Sequence, residues 1–337
     1  MPGREPQVSV CVPTYNRANF LREAIESVLS QSFEDFELIV SDNASEDDTG
    51  SVVKSFSDER IRYFRNPQNL GHRENMNRCL MLSRGKYVTI LPDDDMMMAD
   101  NLAAKVGVLA ANQEIGLVHS KFHIIDDGGR IIKYNTAWWY GPDRTSDVLE
   151  KREDILVRMY NPINITAAVF RRACYENLGG FSDQVGLAFD YEYWVRIALY
   201  YDVMFIAKPL IQCRIHERSL TSIHLGIDEQ LQEVQKLKGV LAVKRHILRN
   251  HSHAIPDDLK RQVGAQAGSS VQAHAETMLG DDGPNPKVRT LLLEMCRTFP
   301  GILLNRGVWK VLLKSMMSRR NIDRLKRISC NLKIHMT

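Results

Sequence analysis

The sequence predicts an α/β chain, with a mostly parallel mixed sheet flanked by helices and a helical extension at its C-terminal end. Three observations carry this. Short apolar, β-branched runs alternate with segments of helical period: VSVCV at 8–12, FELIVS at 36–41, RIRYF at 60–64, KYVTIL at 86–91 and IGLVHS at 115–120. That alternation argues for parallel strands covered on both faces. After about residue 226 the strand signal stops and helical periodicity alone continues.

VSVCV is a buried strand closed by Pro13. In FLREAIESVLSQS, residues Phe20, Leu21, Ala24, Ile25, Val28 and Leu29 share one helical face, with Asn19 expected as the N-cap and Glu23 near the start. EDDTGSVVKSF reads as a short helix with acids in its first turn, where the helix dipole favours them. Helices are expected around 72–84 and 99–112. From 121 to 165 the pattern loosens, and WWYGPDR reads as a loop over the sheet edge. Regularity returns with ITAAVF, a helix from about 172, the GGF turn at 179–181, a helix through EYWVRIALYY, and DVMFIAKPL, which closes the sheet. A boundary near 225 separates residues 1–225 from a helical region, 226–337, interrupted by DDGPNP at 281–286.

The 337 residues are 44% hydrophobic and 25% charged, a globular composition able to bury a sizeable core. A net charge of +3 is too mild to imply nucleic acid. The six cysteines are scattered, with no C-x-x-C pair, which argues against structural zinc and for a reducing compartment. The N-terminal MPGREPQ has no apolar signal region and no stretch has membrane-span length, so a cytoplasmic location is expected.

Ligands of open α/β sheets bind at the carboxyl ends of strands. PTYNR, SDNASEDD and PDDD each follow a strand, so parallel strands gather them on one edge. No glycine-rich dinucleotide turn and no P-loop occurs. Asp93, Asp94 and Asp95 in succession suit a hard cation such as Mg²⁺ or Mn²⁺, an ion that commonly bridges carboxylates to phosphates. Asp42, at a strand end, suits hydrogen bonding to a base or ribose. The competing reading of the three acids is a solvated cap on the helix beginning near Ala99.

These stretches carry a resemblance. Residues 8–49 and RNPQNLGHRENMNRCLMLSRGKYVTILPDDD, followed by NITAAVFRRACYENLGGFSD, FDYEYWVRIA and CRIHERSLT, resemble in order the blocks of family 2 glycosyltransferases over about residues 7–225. The resemblance implies a Rossmann-like GT-A fold, with nucleotide-sugar binding in about 7–120 and acceptor binding in about 121–225. It implies sugar transfer with inversion from a nucleotide-diphosphate sugar (UDP-, dTDP- or GDP-linked) to a saccharide or lipid-linked acceptor in cell-surface polysaccharide biosynthesis, assisted by Mn²⁺ or Mg²⁺. Pro13, Thr14, Tyr15, Asn16, Arg17, Asp42, Asn69, Asp93 and Asp94 would bind the nucleotide sugar. Asp95 and His216 would bind the metal, although three acids in a row permit more than one register. Asn69, Gly71, Asn75 and Asn77 fit the family pattern and equally fit a capped glycine turn. The general base would be Asp190, with Glu192 the fallback and more simply a solvent-facing helix acid. Phe189 stands where the family commonly has a first acid, which keeps a non-catalytic sugar-nucleotide-binding protein as an alternative. A sugar-1-phosphate nucleotidyltransferase is the other alternative, but it wants a glycine- and arginine-rich first loop.

Trp138 and Trp139 suit either an acceptor platform or a lid. In the tail, Leu303, Leu304, Val308, Trp309, Leu312 and Leu313 mark one helical face. Arg306, Lys310, Lys314, Arg319, Arg320, Arg324, Lys326 and Arg327 add charge opposed only by Asp323. The pattern fits a helix packed on protein with a solvated basic face, or one lying peripherally on the inner face of the plasma membrane.

Overall fold

The structure, a computed structural model, describes residues 5–136, 145–216, 229–279, 292–293, 296–297 and 305–316. Trp138, Trp139, the DDGPNP loop, Leu303, Leu304 and the basic residues beyond 316 lie outside them, as do the side chains of Leu313 and Lys314. The chain divides into two compact units, one of residues 1–155 and 161–224, the other of 156–160 and 225–337.

In the first unit, strands β1 (Val8–Thr14), β2 (Phe36–Asp42), β3 (Ile61–Arg65) and β4 (Tyr87–Ile90) alternate with helices α1 (Ala18–Leu29), α2 (Thr49–Lys54) and α3 (His72–Leu82). β5 (Met96–Met97), α4 (Asn101–Ala111), β6 (Ile115–Ile125), β7 (Ile131–Thr136), β8 (Val148–Glu150) and α5 (Arg152–Val157, its last two residues counted in the second unit) follow, then β9 (Val169–Arg171), α6 (Arg172–Leu178), α7 (Phe189–Ala198) and β10 (Asp202–Arg214). The main strand order is β3-β2-β1-β4-β9-β6-β10-β5. β1 pairs in parallel with β2 and β4, β2 with β3, and β6 with β10, while β9 runs antiparallel between β4 and β6. This inserted strand returns β6 and β10 to the direction of β1 and β4. The carboxyl ends of β1, β2, β4, β6 and β10 therefore share one edge.

Every residue of β1 and β2 is buried, as expected of strands covered on two faces. α1 buries Leu21, Ala24, Ile25 and Val28, its predicted apolar face. Its start differs from expectation. The helix begins at Ala18, and Asn19 does not cap it. The Ala18 N–H instead donates to the Asp47 carboxylate at 3.0 Å, so a loop acid satisfies the helix's orphan donor.

The second unit holds α8 (Glu229–Asn250), α9 (Asp257–Leu279) and α10 (Arg306–Met316). α10 buries Val308, Val311, Leu312 and Ser315. Trp309 is not on that face: it is 46% exposed, with Arg306 and Lys310 exposed beside it. At 100° per residue it stands a quarter turn from Val308, on the margin between apolar and basic faces. No helix among the described residues is long and apolar enough to cross a membrane.

Candidate active site

The three segments after β1, β2 and β4 meet as their strand ends require. Thr14 is in register with Asp42, and Asp42 with Arg65. Asn16 has φ 52, a left-handed conformation asparagine tolerates. Its N–H donates to Ser45 Oγ at 2.9 Å and its Oδ1 accepts from Glu46 N–H at 2.7 Å. The first loop is thereby pinned to the second. Asp42 is buried, accepting from Ser45 N–H at 2.8 Å and the Tyr63 hydroxyl at 2.5 Å, with Arg65 Nε at 3.5 Å. Its carboxylate thus orders the loop from within. Asn69 is exposed; its Oδ1 accepts from Asn43 Nδ2 and from Gly71 N–H, where the chain turns with φ 82. Asn75 bridges Ser41 and Asn66 in the interior. Tyr15 follows the strand with its side chain 43% exposed.

Asp93, Asp94 and Asp95 are buried, and α4 starts only at Asn101, so the solvated-cap reading does not hold. Asp93 and Asp94 share Arg17, and Asp95 has partners of its own. Asp93 accepts from Tyr15 N–H at 3.3 Å and Arg17 Nη1 at 3.1 Å. Asp94 Oδ2 lies 2.7 Å from the same Arg17 nitrogen and 2.9 Å from His216 Nε2. Asp95 accepts from the Thr166 hydroxyl at 2.5 Å and the Arg214 N–H at 2.8 Å, with Cys213 Sγ at 3.7 Å. Burial first, then the Asp94 charge, pushes Asp93 up to about 6 and Asp95 up to about 7. Burial works against Asp94 too, but the His216 hydrogen bond and the Arg17 charge outweigh it and hold its carboxyl below the usual range.

His216 is buried, and it meets Asp94 rather than Asp95. Among the described residues no three carboxylate, imidazole or thiol groups converge as a metal cluster. Behind the acids stands Arg214, which sequence reading missed. Its Nε donates to the Asp94 carbonyl at 2.9 Å, Nη1 to the carbonyls of Asp126 and Asp127, and Nη2 to Glu23 at 2.6 Å, while its guanidinium lies 4.8 Å from the Phe20 ring centroid. The available signal was spacing: Arg214 and His216 stand two apart at a strand end, where alternate side chains share a face.

α7 supplies the other carboxylates. All of its residues are buried except Asp190, which is half-buried. Asp190 Oδ1 accepts from Tyr191 N–H at 2.7 Å and Oδ2 from Asn161 Nδ2 at 2.8 Å. Burial pushes its carboxyl up to about 6, with these donors opposing. Glu192 is a correction to the solvent-facing expectation: it is 0% exposed and pairs with Arg196 through two contacts of 2.8 Å. Arg196 in turn donates to the carbonyls of Leu178 and Gly180, holding the glycine turn, which Asn77 grips through the Phe181 N–H and carbonyl. Glu192 is therefore tied up by the fold, while Asp190 keeps part of its surface open to solvent.

The Glycosyl transferase family 2 model matches residues 9–176. A Campylobacter jejuni protein, GalNAc(5)-diNAcBac-PP-undecaprenol beta-1,3-glucosyltransferase, is 46% identical over 176 residues, covering 51% of this chain and 54% of that protein. Among solved structures, S. aureus TarS 1-349 in complex with UDP-GlcNAc matches with TM-score 0.59 and 15% identity, over 91% of this chain and 90% of that one. The mannosyltransferase PcManGT from Pyrobaculum calidifontis, in complex with GDP-Man and Mn²⁺, matches with TM-score 0.52 and 20% identity, over 94% and 88%. This chain belongs to glycosyltransferase family 2 and is a glycosyltransferase of GT-A fold.

Proposed function

We propose that this glycosyltransferase moves a sugar, with inversion, from a nucleotide-diphosphate donor (UDP-, dTDP- or GDP-linked) to a saccharide or lipid-linked acceptor, in building a cell-surface polysaccharide. The observation that carries the proposal is the contact between Asp94 and His216 at 2.9 Å, beside Arg17, at the carboxyl edge of the parallel strands. One carboxylate oxygen and one imidazole nitrogen side by side are a donor pair that would hold a divalent ion. In this reading Asp94 replaces Asp95 as His216's metal-binding partner, because both Asp95 oxygens already accept from Thr166 and the Arg214 amide, whereas the Asp94 contacts to Arg17 and His216 both fall on Oδ2. Mn²⁺ or Mg²⁺, when bound, neutralises charge developing on the leaving diphosphate.

The protein's own groups do the rest. Tyr15 presents an exposed ring for the base, and Pro13, Thr14, Asn16 and Asn69 shape the loops around it. Asp42 keeps its loop in place, and Asp93 fixes Arg17 beside the phosphate-facing acid. Asp190 takes the acceptor hydroxyl's proton as the new bond forms. The lipid-linked acceptor named for the Campylobacter relative supports such an acceptor here. It also gives the outward Trp309, Arg306 and Lys310 of α10 a use in peripheral attachment to an anionic membrane.

Melting temperature measured against nucleoside diphosphates, each with and without Mn²⁺, tests the reading, since ligands that bind the native state raise it. The expected result is one nucleotide with a Mn²⁺-dependent rise of several degrees, the metal-dependent part lost in Asp94→Asn and in His216→Ala and kept in Asp95→Asn. A metal effect lost in Asp95→Asn but kept in His216→Ala would return the metal to Asp95.

A further inference from the structure

We infer that Asn161 is a positioning residue for the Asp190 carboxylate, holding it by a side-chain hydrogen bond that its own backbone forces to be a donated one. The inference rests on Asp190 as the base.

The local sequence explains the geometry. Asn161 precedes Pro162, and the proline ring keeps the preceding residue extended. Its Oδ1 then folds onto the chain and accepts the Ile163 N–H at 3.1 Å, an Asx turn. The carbonyl end of the amide being committed, the NH₂ end is left facing Asp190 Oδ2 at 2.8 Å. The reversed amide would set NH₂ against the Ile163 N–H and a carbonyl against a carboxylate. The assignment follows from the partners.

The groups acting on Asp190 are few. Besides burial they are the Tyr191 N–H, its own amide and Asn161; no charged side chain among the described residues contributes. The helix around it is otherwise buried, and the other acid of that helix, Glu192, is paired with Arg196. Among the described residues, Asn161 is therefore the side chain that orients this carboxylate. The same segment, NPINIT, reaches the acidic motif at its other end. Asn164 caps a single 3-10 turn by accepting the Thr166 N–H at 2.8 Å, and the Thr166 hydroxyl donates to Asp95. One six-residue strap thus holds both carboxylate sites, and its first residue serves the base.

The experiment compares wild type, Asn161→Leu (similar volume, no donor), Asn161→Ser, Asn161→Asp and Asp190→Asn. The pH profile of kcat/KM is read by nucleoside diphosphate release from UDP-, dTDP- and GDP-sugars, with melting temperature measured at each pH. Losing a hydrogen bond to the charged form should move the acid limb of Asn161→Leu upward by about one to two pH units. That is roughly a five- to fifty-fold loss at pH 6, largely recovered by pH 9, with the KM for the donor unchanged. Asn161→Asp, a like charge, should move the limb further. An equal loss at every pH, with the limb unmoved in both Asn161→Leu and Asn161→Ser, would show a merely structural role and overturn the inference. The reading beneath it fails separately, if Asp190→Asn turns over near the wild-type rate. In that event a melting-temperature loss in Asn161→Leu that grows as pH rises through 6, and no longer grows in the Asp190→Asn background, would keep the bond while removing its catalytic consequence.

Discussion

Replacing Asp190 with Asn should make the protein more stable at alkaline pH while removing its activity. The folded carboxyl sits at about 6 against an ordinary 3.8, a rise of 6 − 3.8 = 2.2. At about 1.36 kcal/mol for each unit, keeping the side chain ionised in the fold costs at most about 3 kcal/mol. Asp190 is only half-buried, so solvent reduces that figure. Asn also has one acceptor oxygen where the carboxylate has two. It cannot serve both the Tyr191 N–H and Asn161, a loss of about 1 kcal/mol. The balance is a gain of about 1 kcal/mol above pH 7, or roughly 2–4 °C in melting temperature for a unit of this size. Because the folded value is raised, the stability that Asp190 allows is complete below pH 3.8 and is lost as pH rises through about 6. The difference between the Asp190→Asn variant and wild-type protein should therefore grow across that window and flatten above it. Thermal denaturation from pH 4 to 8 reads the first effect. Single-turnover transfer reads the second, with an expected fall of about 10²–10⁴ in rate and nucleotide affinity within two-fold or so of wild type. A melting difference that stays flat from pH 4 to 8, or transfer within a few-fold of wild type, would refute the reasoning.

Glu192→Ala should strand the Arg196 guanidinium in the interior, at a cost of about 3–5 kcal/mol, seen as a fall of roughly 6–20 °C in melting temperature. If the loss is under 2 °C, Glu192 is not the structural ion pair described here. Lys105→Met should raise the melting temperature at pH 7. Lys105 is fully buried, hydrogen-bonded to Asn101 at 2.6 Å and, among the described residues, to no carboxylate, and burial holds its ammonium well below the usual range. A depressed lysine costs stability at low pH, so the advantage of Met should shrink as pH approaches 10; a constant advantage would contradict a buried titrating amine.

What was legible in the sequence is what depends on short-range periodicity. The apolar strands, the helical face of α1 and the acidic stretch after β4 all follow from residues a few positions apart, and parallel pairing then fixes which loops meet. The antiparallel β9 and the extra length of β6 and β10 were less visible, because their pairing is decided by neighbours rather than by composition. The Glu192 ion pair was available as an i, i+4 acid–base spacing, yet its burial was not, since nothing in the spacing says which face of α7 meets the sheet. The Asn19 cap failed for the same kind of reason. A local rule names the nearest asparagine, while the structure uses Asp47 from another loop.

The two carboxylate sites are held in opposite ways, and this decides what each tolerates. Arg214 reaches the Asp94 carbonyl, Glu23 and the turn carbonyls of Asp126 and Asp127 from positions far apart in sequence. The acidic edge thus exists only once β4, β6, β10 and α1 have assembled. Three adjacent acids are buried there among donors supplied by different elements, Arg17 shared by Asp93 and Asp94, His216 on Asp94, and Thr166 and the Arg214 amide on Asp95, while the Asp94 charge raises the carboxyls on either side of it. Asp190 depends instead on its own helix amide and on one asparagine whose geometry is set by the next two residues. Damage to the sheet should therefore disable the proposed donor edge as a unit, whereas the proposed base can be weakened by a single change that leaves nucleotide binding intact.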